Sequence, residues 1–298
     1  MKTLKKIKIG ILGFSKKNGH PYSFSAIFNG YNKKLFKKTG YPQILKYLNK
    51  KRKKDFGIHR AKVTHAWSQS YFKTKILCRA SLIKFPIKKI NDLVDNVDAA
   101  IIARDDWKSH YMLAKNFLKK KKPIFIDKPL SLNLEELKFF KKYINSSLLM
   151  STSSLRYSNE LESVKKFLKT SGKVRFIVAN VPNDVTKYGV HVFEFISSLG
   201  LLNVLNIRRV IQKQYDTYLL ELSGNIILIV NCLGDFDNKF DFTFYCEKKY
   251  FFIKFKDNFS SFKKTLQIFV NMIIKRKNSI LYKDTLSIMK IIKKAKTL

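Results

Sequence analysis

The chain has 298 residues, 45% hydrophobic and 14% aromatic, which is enough for two packed cores and argues against a disordered chain. Its formal net charge is +39, yet 51 of the 60 cations are Lys and nine are Arg. The guanidinium forks that read bases are therefore scarce, and the surplus is read as a solvated Lys-rich surface that favours anionic small ligands. Three widely spaced cysteines, Cys78, Cys232 and Cys246, match no metal spacing, and residues 1–7 are basic without a long apolar run. The expectation is a cytoplasmic protein with reduced thiols, no leader and no membrane span.

Residues 7–14 (IKIGILGF) form an apolar run ending in glycine, the pattern of a buried parallel strand. Gly19-His20-Pro21 breaks the chain before a short helix over 22–31, and 32–60 is a Lys-rich surface excursion with a weak helix around 43–48. A strand at 61–67, a helix over about 70–82, a strand at 97–103, a helix over about 107–120 and a strand at 123–127 follow. A helix at 133–144, with Asn133 as N-cap, and a strand at 148–152 continue the alternation. This order predicts an α/β Rossmann domain, a doubly wound parallel sheet with helices on both faces.

The pattern then changes. A helix over about 157–169 precedes a strand at 174–181 and a helix at 189–199. Short strands recur at 204–212, 216–223, 225–232, 240–246 and 250–255, with turn signals at Ser223-Gly224-Asn225 and Glu247-Lys248-Lys249. Closing helices at 259–275 and 283–296 follow. The expectation is an α+β domain with an open, mostly antiparallel sheet, dividing the chain at 1–130 and 131–298, with the closing helices free to return to the first domain. Alternation in VLNIRRVIQ and NIILIVNCL leaves an apolar sheet face that wants covering, which predicts a homodimer or higher homo-oligomer.

Three stretches carry candidate chemistry. In the first, Gly10, Gly13 and Gly19 surround the turn after the first strand, a loose form of the G-x-G-x-x-G that brings backbone to a pyrophosphate at a helix N-terminus. The second strand ends in Trp67-Ser68-Gln69-Ser70 with no carboxylate for ribose hydroxyls, so NAD and NADP both stay open. In the second, Asp127-Lys128-Pro129 ends a strand, where a lysine would project into the crevice of an open α/β sheet and exchange a proton with a substrate hydroxyl. The plainer reading is a surface lysine before a turn proline. In the third, Lys187 and His191 lie four apart at the opening of a helix, Gly189 gives clearance for a ligand or another backbone, and Glu194 is placed to orient the ring or pair with Lys187. The plainer reading here is a packed helix histidine.

The stretch VDAAIIARDDWKSHYMLAKNFLKKKKPIFIDKPLS at 97–131 resembles the signature of the Gfo/Idh/MocA oxidoreductases: a strand, a loop, a helix holding a histidine, and a strand ending in an acid-Lys-Pro tripeptide. YGVHVFEFISSLG at 188–200 is similar to the family's G-x-H-x-x-acid helix, and NGHPYSFSAIFNGYN resembles a subgroup associated with bacterial surface-sugar pathways. The resemblance implies a nicotinamide cofactor, NAD or NADP, and a sugar-like substrate, with the tripeptide lysine at Lys128 and the helix histidine at His191. The nicotinamide is then expected near Arg104 and Lys128. Where many members carry an acid four residues before the histidine, this chain has Lys187, which suits an anionic substrate. Catalysis is thus expected of Lys128, His191 and Lys187, and cofactor binding of Gly10, Gly13, Phe14, Ser15, Ser68, Ala103, Arg104, Asp127 and Lys128. A non-catalytic protein of the same fold and a basic nucleic-acid binder are the rival readings; the second would show a steep salt slope and a defined stoichiometry on DNA. No metal, specific nucleic acid or membrane partner is expected.

Overall fold

In the computed structural model residues 6–235 and 240–298 are described; part of the basic opening, residues 1–5, lies outside them. The chain divides into two compact units, the first comprising residues up to Ser151 together with Phe262–Tyr282, the second Thr152–Ser261 and Lys283–Leu298. The first runs β1 (Ile7–Leu12), α1 (His20–Asn29), α2 (Lys33–Phe36), α3 (Pro42–Leu48), β2 (Ala61–Trp67), α4 (Tyr71–Ala80), β3 (Phe85–Ile87), α5 (Ile90–Asn96), β4 (Ala99–Ile102), α6 (His110–Lys119), β5 (Ile124–Ile126), α7 (Leu134–Asn145) and β6 (Leu149–Ser151). The strands form one parallel sheet in the order β3-β2-β1-β4-β5-β6. The direction of winding therefore reverses between β1 and β4, the crevice in which doubly wound sheets take their ligands.

The strands form because their apolar runs are buried on both faces: Ile9, Ile11, Leu12, Ala99, Ala100, Ile101, Ile102, Ile124 and Ile126 are wholly enclosed. Among the helices, α7 shows why the flanks hold. Asn133 Oδ1 accepts the N–H groups of Glu135 and Glu136, two acids sit in its first turn, and Leu137, Phe140 and Ile144 face inward. Three elements exceed the expected set, the single-turn α2, β3 and α5. β3 has three residues, one of them Pro86, and α5 has no side-chain cap, so neither leaves a periodic signal. Their presence explains Gly10, where a Cβ would stand 2.9 Å from Leu93 Cδ1 of α5. The unit boundary falls after Ser151 rather than at 130, because β6 pairs with β5 in the first sheet.

The second unit holds α8 (Asn159–Leu168), β7 (Val174–Val181), α9 (Val190–Ser198), β8 (Val204–Ile211), β9 (Asp216–Leu222), β10 (Ile226–Cys232), β11 (Asp241–Cys246) and β12 (Tyr250–Lys254). The sheet order is β12-β11-β7-β10-β9-β8, antiparallel except for the β7–β10 pair. One face is covered by α9, whose Phe195 packs against Phe242, Phe244 and Phe255. On the other, the register aligns Phe176 with Ile227 and Val178 with Ile229. Farther along, Thr217 donates to Asn231 (2.9 Å), Asn231 to Asn180 (2.9 Å) and Asn180 to Asp241 (2.8 Å), a polar ladder across four strands. The closing helices are α10 (Asn258–Lys275) and α11 (Tyr282–Thr297). Residues of α10 from Phe262 onward pack in the first unit, with Phe262 against His20 and Phe24 and Phe269 against Phe125; α11 belongs to the second. No helix among the described residues is long and apolar enough to cross a membrane.

Candidate cofactor and substrate sites

In the first unit the candidate site lies at the carboxyl ends of β1, β2, β4 and β5. The loop after β1 is tied to its neighbours by backbone and side chain. Gly13 N–H donates to Trp67 O (3.1 Å), and Phe14 and Gln69 exchange two bonds, Phe14 N–H to Oε1 and Nε2 to Phe14 O, each 3.1 Å. A Cβ on Gly13 would stand 2.5 Å from Pro21 Cγ, so this glycine lets the loop close on the start of α1. Ser15 Oγ donates to Asp105 Oδ1 (2.5 Å) and accepts Asp105 N–H (3.2 Å), joining the β1 and β4 loops. Burial works to raise the Asp105 pKa. The Ser15 hydroxyl, the Lys128 ammonium, Asn18 and His20 outweigh it and hold the carboxyl below its usual range.

Asn18 opens α1: its Oδ1 accepts His20 N–H at 2.7 Å. Its Nδ2 is buried and, although Asn18 helps stabilise Asp105, it completes no well-formed hydrogen bond among the described residues. A buried orphan donor beside a helix N-terminus fits a phosphate oxygen. The irregular glycine spacing thus leaves a loop that still suits a dinucleotide.

Lys128 follows β5 and is only 5% exposed. Its backbone N–H donates to Asp127 Oδ1 at 3.0 Å, while Asp127 Oδ2 meets His20 Nδ1 at 2.5 Å. The Asp127 carboxylate is therefore engaged within the protein and braces the segment that carries Lys128. Arg104 is buried and forks onto Asp106, Nε to Oδ1 at 2.8 Å and Nη2 to Oδ2 at 2.5 Å. Ala103, next to it, is buried and donates its N–H to Leu12 O (2.9 Å). The residue that joins these loops is His110, which the motif contained without revealing its work. Its ring nitrogens lie 2.9 Å from Leu130 O and 2.9 Å from Arg104 O, stapling the β4 loop to the β5 loop. Ser68 is buried and bonds to Ser70 O (2.9 Å) and Thr74 Oγ1 (2.8 Å), so its hydroxyl is spent on the start of α4. Of the expected cofactor residues, Gly13, Phe14, Ser15, Ser68, Ala103, Arg104, Asp127 and Lys128 stand at these strand ends. Gly10 lies inside β1, packed on α5.

In the second unit Asp184 accepts Lys187 N–H (2.9 Å) at the start of a π turn, Val185–Gly189, which runs into α9. The wider turn means that Lys187 and His191 do not have simple α-helical spacing. Gly189 gives clearance to Val185, whose Cγ2 would lie 2.6 Å from a Cβ there, not to a ligand. His191 Nδ1 lies 2.6 Å from Ser153 Oγ, and its ring meets Tyr188 and Phe240 at centroid distances of 5.5 and 5.7 Å. Glu194 neither orients His191 nor pairs with Lys187. Its Oε2 accepts Arg156 Nε at 2.6 Å and Thr152 Oγ1 at 3.0 Å, because the side chain turns into the core beneath the 3-10 turn Ser154–Tyr157. Among the described residues no group of acids, histidines and cysteines could hold a metal ion.

Residues 38–150 match a family profile, GFO_IDH_MocA, described as "Oxidoreductase family, NAD-binding Rossmann fold". This stretch, which holds β2 to β6, matches the Rossmann domain of the Gfo/Idh/MocA oxidoreductases. The match begins after β1 and the loop that follows it, the segment where the glycine spacing is irregular. Solved structures of similar fold span nearly the whole chain. Myo-inositol 2-dehydrogenase from Lactobacillus plantarum is 15% identical over 98% of this chain and 97% of its own, with a TM-score of 0.77. Apo scyllo-inositol dehydrogenase from Lactobacillus casei is 15% identical over 98% and 96%, with a TM-score of 0.76. Myo-inositol dehydrogenase from Lactobacillus casei, in complex with NAD(H) and myo-inositol, is 13% identical over 97% and 93%, with a TM-score of 0.73. At these identities the likeness establishes the fold. No curated protein matches the chain in sequence. The Gfo/Idh/MocA resemblance read from 97–131 therefore holds, and the strand, histidine helix and Asp-Lys-Pro end of that motif are β4, α6 and the close of β5.

Proposed function

We propose that the chain is a cytoplasmic NAD(P)-dependent dehydrogenase acting on a ring CH–OH or keto group of a sugar, sugar phosphate, nucleotide sugar or cyclitol. The observation that carries this is the match of residues 38–150 to an NAD-binding oxidoreductase family, with buried Lys128 at the carboxyl end of β5. The inositol dehydrogenases of similar fold, one of them bound to NAD(H) and myo-inositol, support a cyclic polyol as the substrate class. The stretch from Asn18 to Asn32 further supports a precursor of a bacterial surface polysaccharide.

Bound nicotinamide would supply the hydride acceptor in alcohol oxidation and the donor in the reverse direction. The chain's own part is positioning and proton handling. The loop at 13–19, with Asn18 Nδ2 and the α1 N-terminus, would hold the pyrophosphate, and the Arg104 and Lys128 segments would flank the nicotinamide. Lys128 as the neutral amine would take the hydroxyl proton as the C–H hydride leaves, and as the ammonium would return a proton to the carbonyl oxygen in reduction. Lys187 would meet an anionic substituent, helped by the overall positive field. Ser68-Gln69-Ser70 offers no carboxylate against a 2′-phosphate, and Gln69 is tied to Phe14, so both cofactors should bind. Purified protein titrated with NAD(H) and NADP(H) should show a thermal shift or a change in nicotinamide fluorescence. Silence with both cofactors would sink the enzyme reading, and binding without turnover of any polyol or sugar would favour the non-catalytic rival.

The open sheet face supports a homodimer. Val210, Tyr245, Tyr250 and Phe252 are more than 40% exposed, and the register places them on the face that carries Phe176, Val178, Ile227 and Ile229. Light scattering should give twice the mass of the chain for the parent protein and a monomer for Ile229→Lys; a monomeric parent overturns the dimer.

A further inference from the structure

Ser153 is fully buried, and its hydroxyl faces two groups. Its Oγ accepts Leu155 N–H at 3.1 Å, as the cap of the turn at 154–157. The second group is His191 Nδ1, at 2.6 Å. A serine hydroxyl has one proton to give and two lone pairs. Leu155 occupies one lone pair, and among the described residues His191 Nδ1 is the acceptor within reach of the proton. The opposite arrangement, Nδ1–H donating to Oγ, would strand a buried O–H without an acceptor.

We infer that Ser153 fixes neutral His191 in the tautomer with Nδ1 unprotonated and the proton on Nε2. A neutral ring in that state cannot take a proton at Nε2. It presents an N–H there, which suits a hydroxyl or carbonyl oxygen as partner. Tyr188 and Phe240 flank the ring and keep it in register with Ser153. On the proposed dehydrogenase reading, His191 then meets a substrate oxygen as a hydrogen-bond donor and not as a base, and Ser153 is a positioning residue acting through His191.

The tautomer is read directly by long-range proton–nitrogen correlation on the full chain labelled with 15N-histidine, above the pH at which the ring is protonated. The His191 signals are assigned by their loss in His191→Gln. The expected pattern is a pyridine-like Nδ1 and a pyrrole-like Nε2 in the parent, and a mixture of tautomers in Ser153→Ala. A pyrrole-like Nδ1 in the parent overturns the inference, and this measurement stands even where Ser153→Ala fails to fold. The second readout is turnover. Glutamine at 191 offers an amide N–H near the place of Nε2 but no base. His191→Gln should keep kcat within about tenfold of the parent, whereas loss of a general base costs about 10²–10⁴-fold. A glutamine variant as slow as His191→Ala overturns the donor role. Should the parent show the inferred tautomer yet oxidise no polyol or sugar with either cofactor, the dehydrogenase reading falls and the tautomer assignment stands.

Discussion

Lys128→Met should lower kcat by about 10²–10⁴, the usual contribution of a positioned acid–base group, and leave cofactor affinity within about tenfold. Methionine keeps the length and the apolar stem, so the loss isolates the ammonium. The segment around it is braced independently, by the Asp127 carboxylate that accepts Lys128 N–H and meets His20, and by His110 between Leu130 O and Arg104 O. Lys128→Arg should not restore turnover, because a guanidinium stays protonated and cannot accept the hydroxyl proton. The assay is absorbance at the reduced nicotinamide band with inositols, sugars and sugar phosphates; full turnover by the methionine variant removes Lys128 from the mechanism. A second readout needs no substrate. The Lys128 charge helps hold the Asp105 carboxyl below its usual range. A folded-state pKa below the unfolded value gives stability that is present above the unfolded pKa and lost as pH falls through the folded one. Without the ammonium the folded pKa rises, so acid unfolding of Lys128→Met should begin at a higher pH than in the parent.

Much of this architecture is legible in the sequence for a physical reason. Strands buried on both faces, such as Ala99–Ile102 and Ile124–Ile126, must be continuously apolar, and an acid-Lys-Pro end on such a strand has few structural meanings. What escaped detection depends on partners that lie far away in the chain. Ser15 meets Asp105 across 90 residues and Ser153 meets His191 across 38, and neither serine carries any local mark of it. Alternation shows which face of a strand is buried, not which strand lies beside it, so the parallel β7–β10 pair was invisible. Gly10 and Gly189 illustrate the same limit. Each reads as room for a ligand, and each is filled by the protein's own side chains, Leu93 in one case and Val185 in the other.

Arg156→Met should destabilise the second unit by about 3–5 kcal/mol, because it leaves the Glu194 carboxylate buried without its cation. The pair lies deep, with the arginine side chain 12% and the glutamate 3% exposed, and Nε stands 2.6 Å from Oε2. Arg156 Nη2 also donates to Ser197 Oγ at 3.3 Å, and Thr152 Oγ1 gives the carboxylate one further bond. One neutral donor does not replace a guanidinium, so the lone carboxylate must take up a proton or draw in water. The double variant Arg156→Met/Glu194→Leu should recover most of the loss, since an apolar pair leaves no buried charge to solvate. The measurement is the urea midpoint at unchanged slope, read as a double-mutant cycle. A single variant that loses less than about 1 kcal/mol would put the pair in the class of exposed ion pairs. The network also has a local consequence. Thr152 and Arg156 flank Ser153, and Glu194 lies one helical turn beyond His191, so the bonds at Glu194 hold together the two segments between which the Ser153–His191 bond is made. Arg156→Met should therefore blur the His191 tautomer under conditions where the protein is still folded, which a purely global loss of stability would not do.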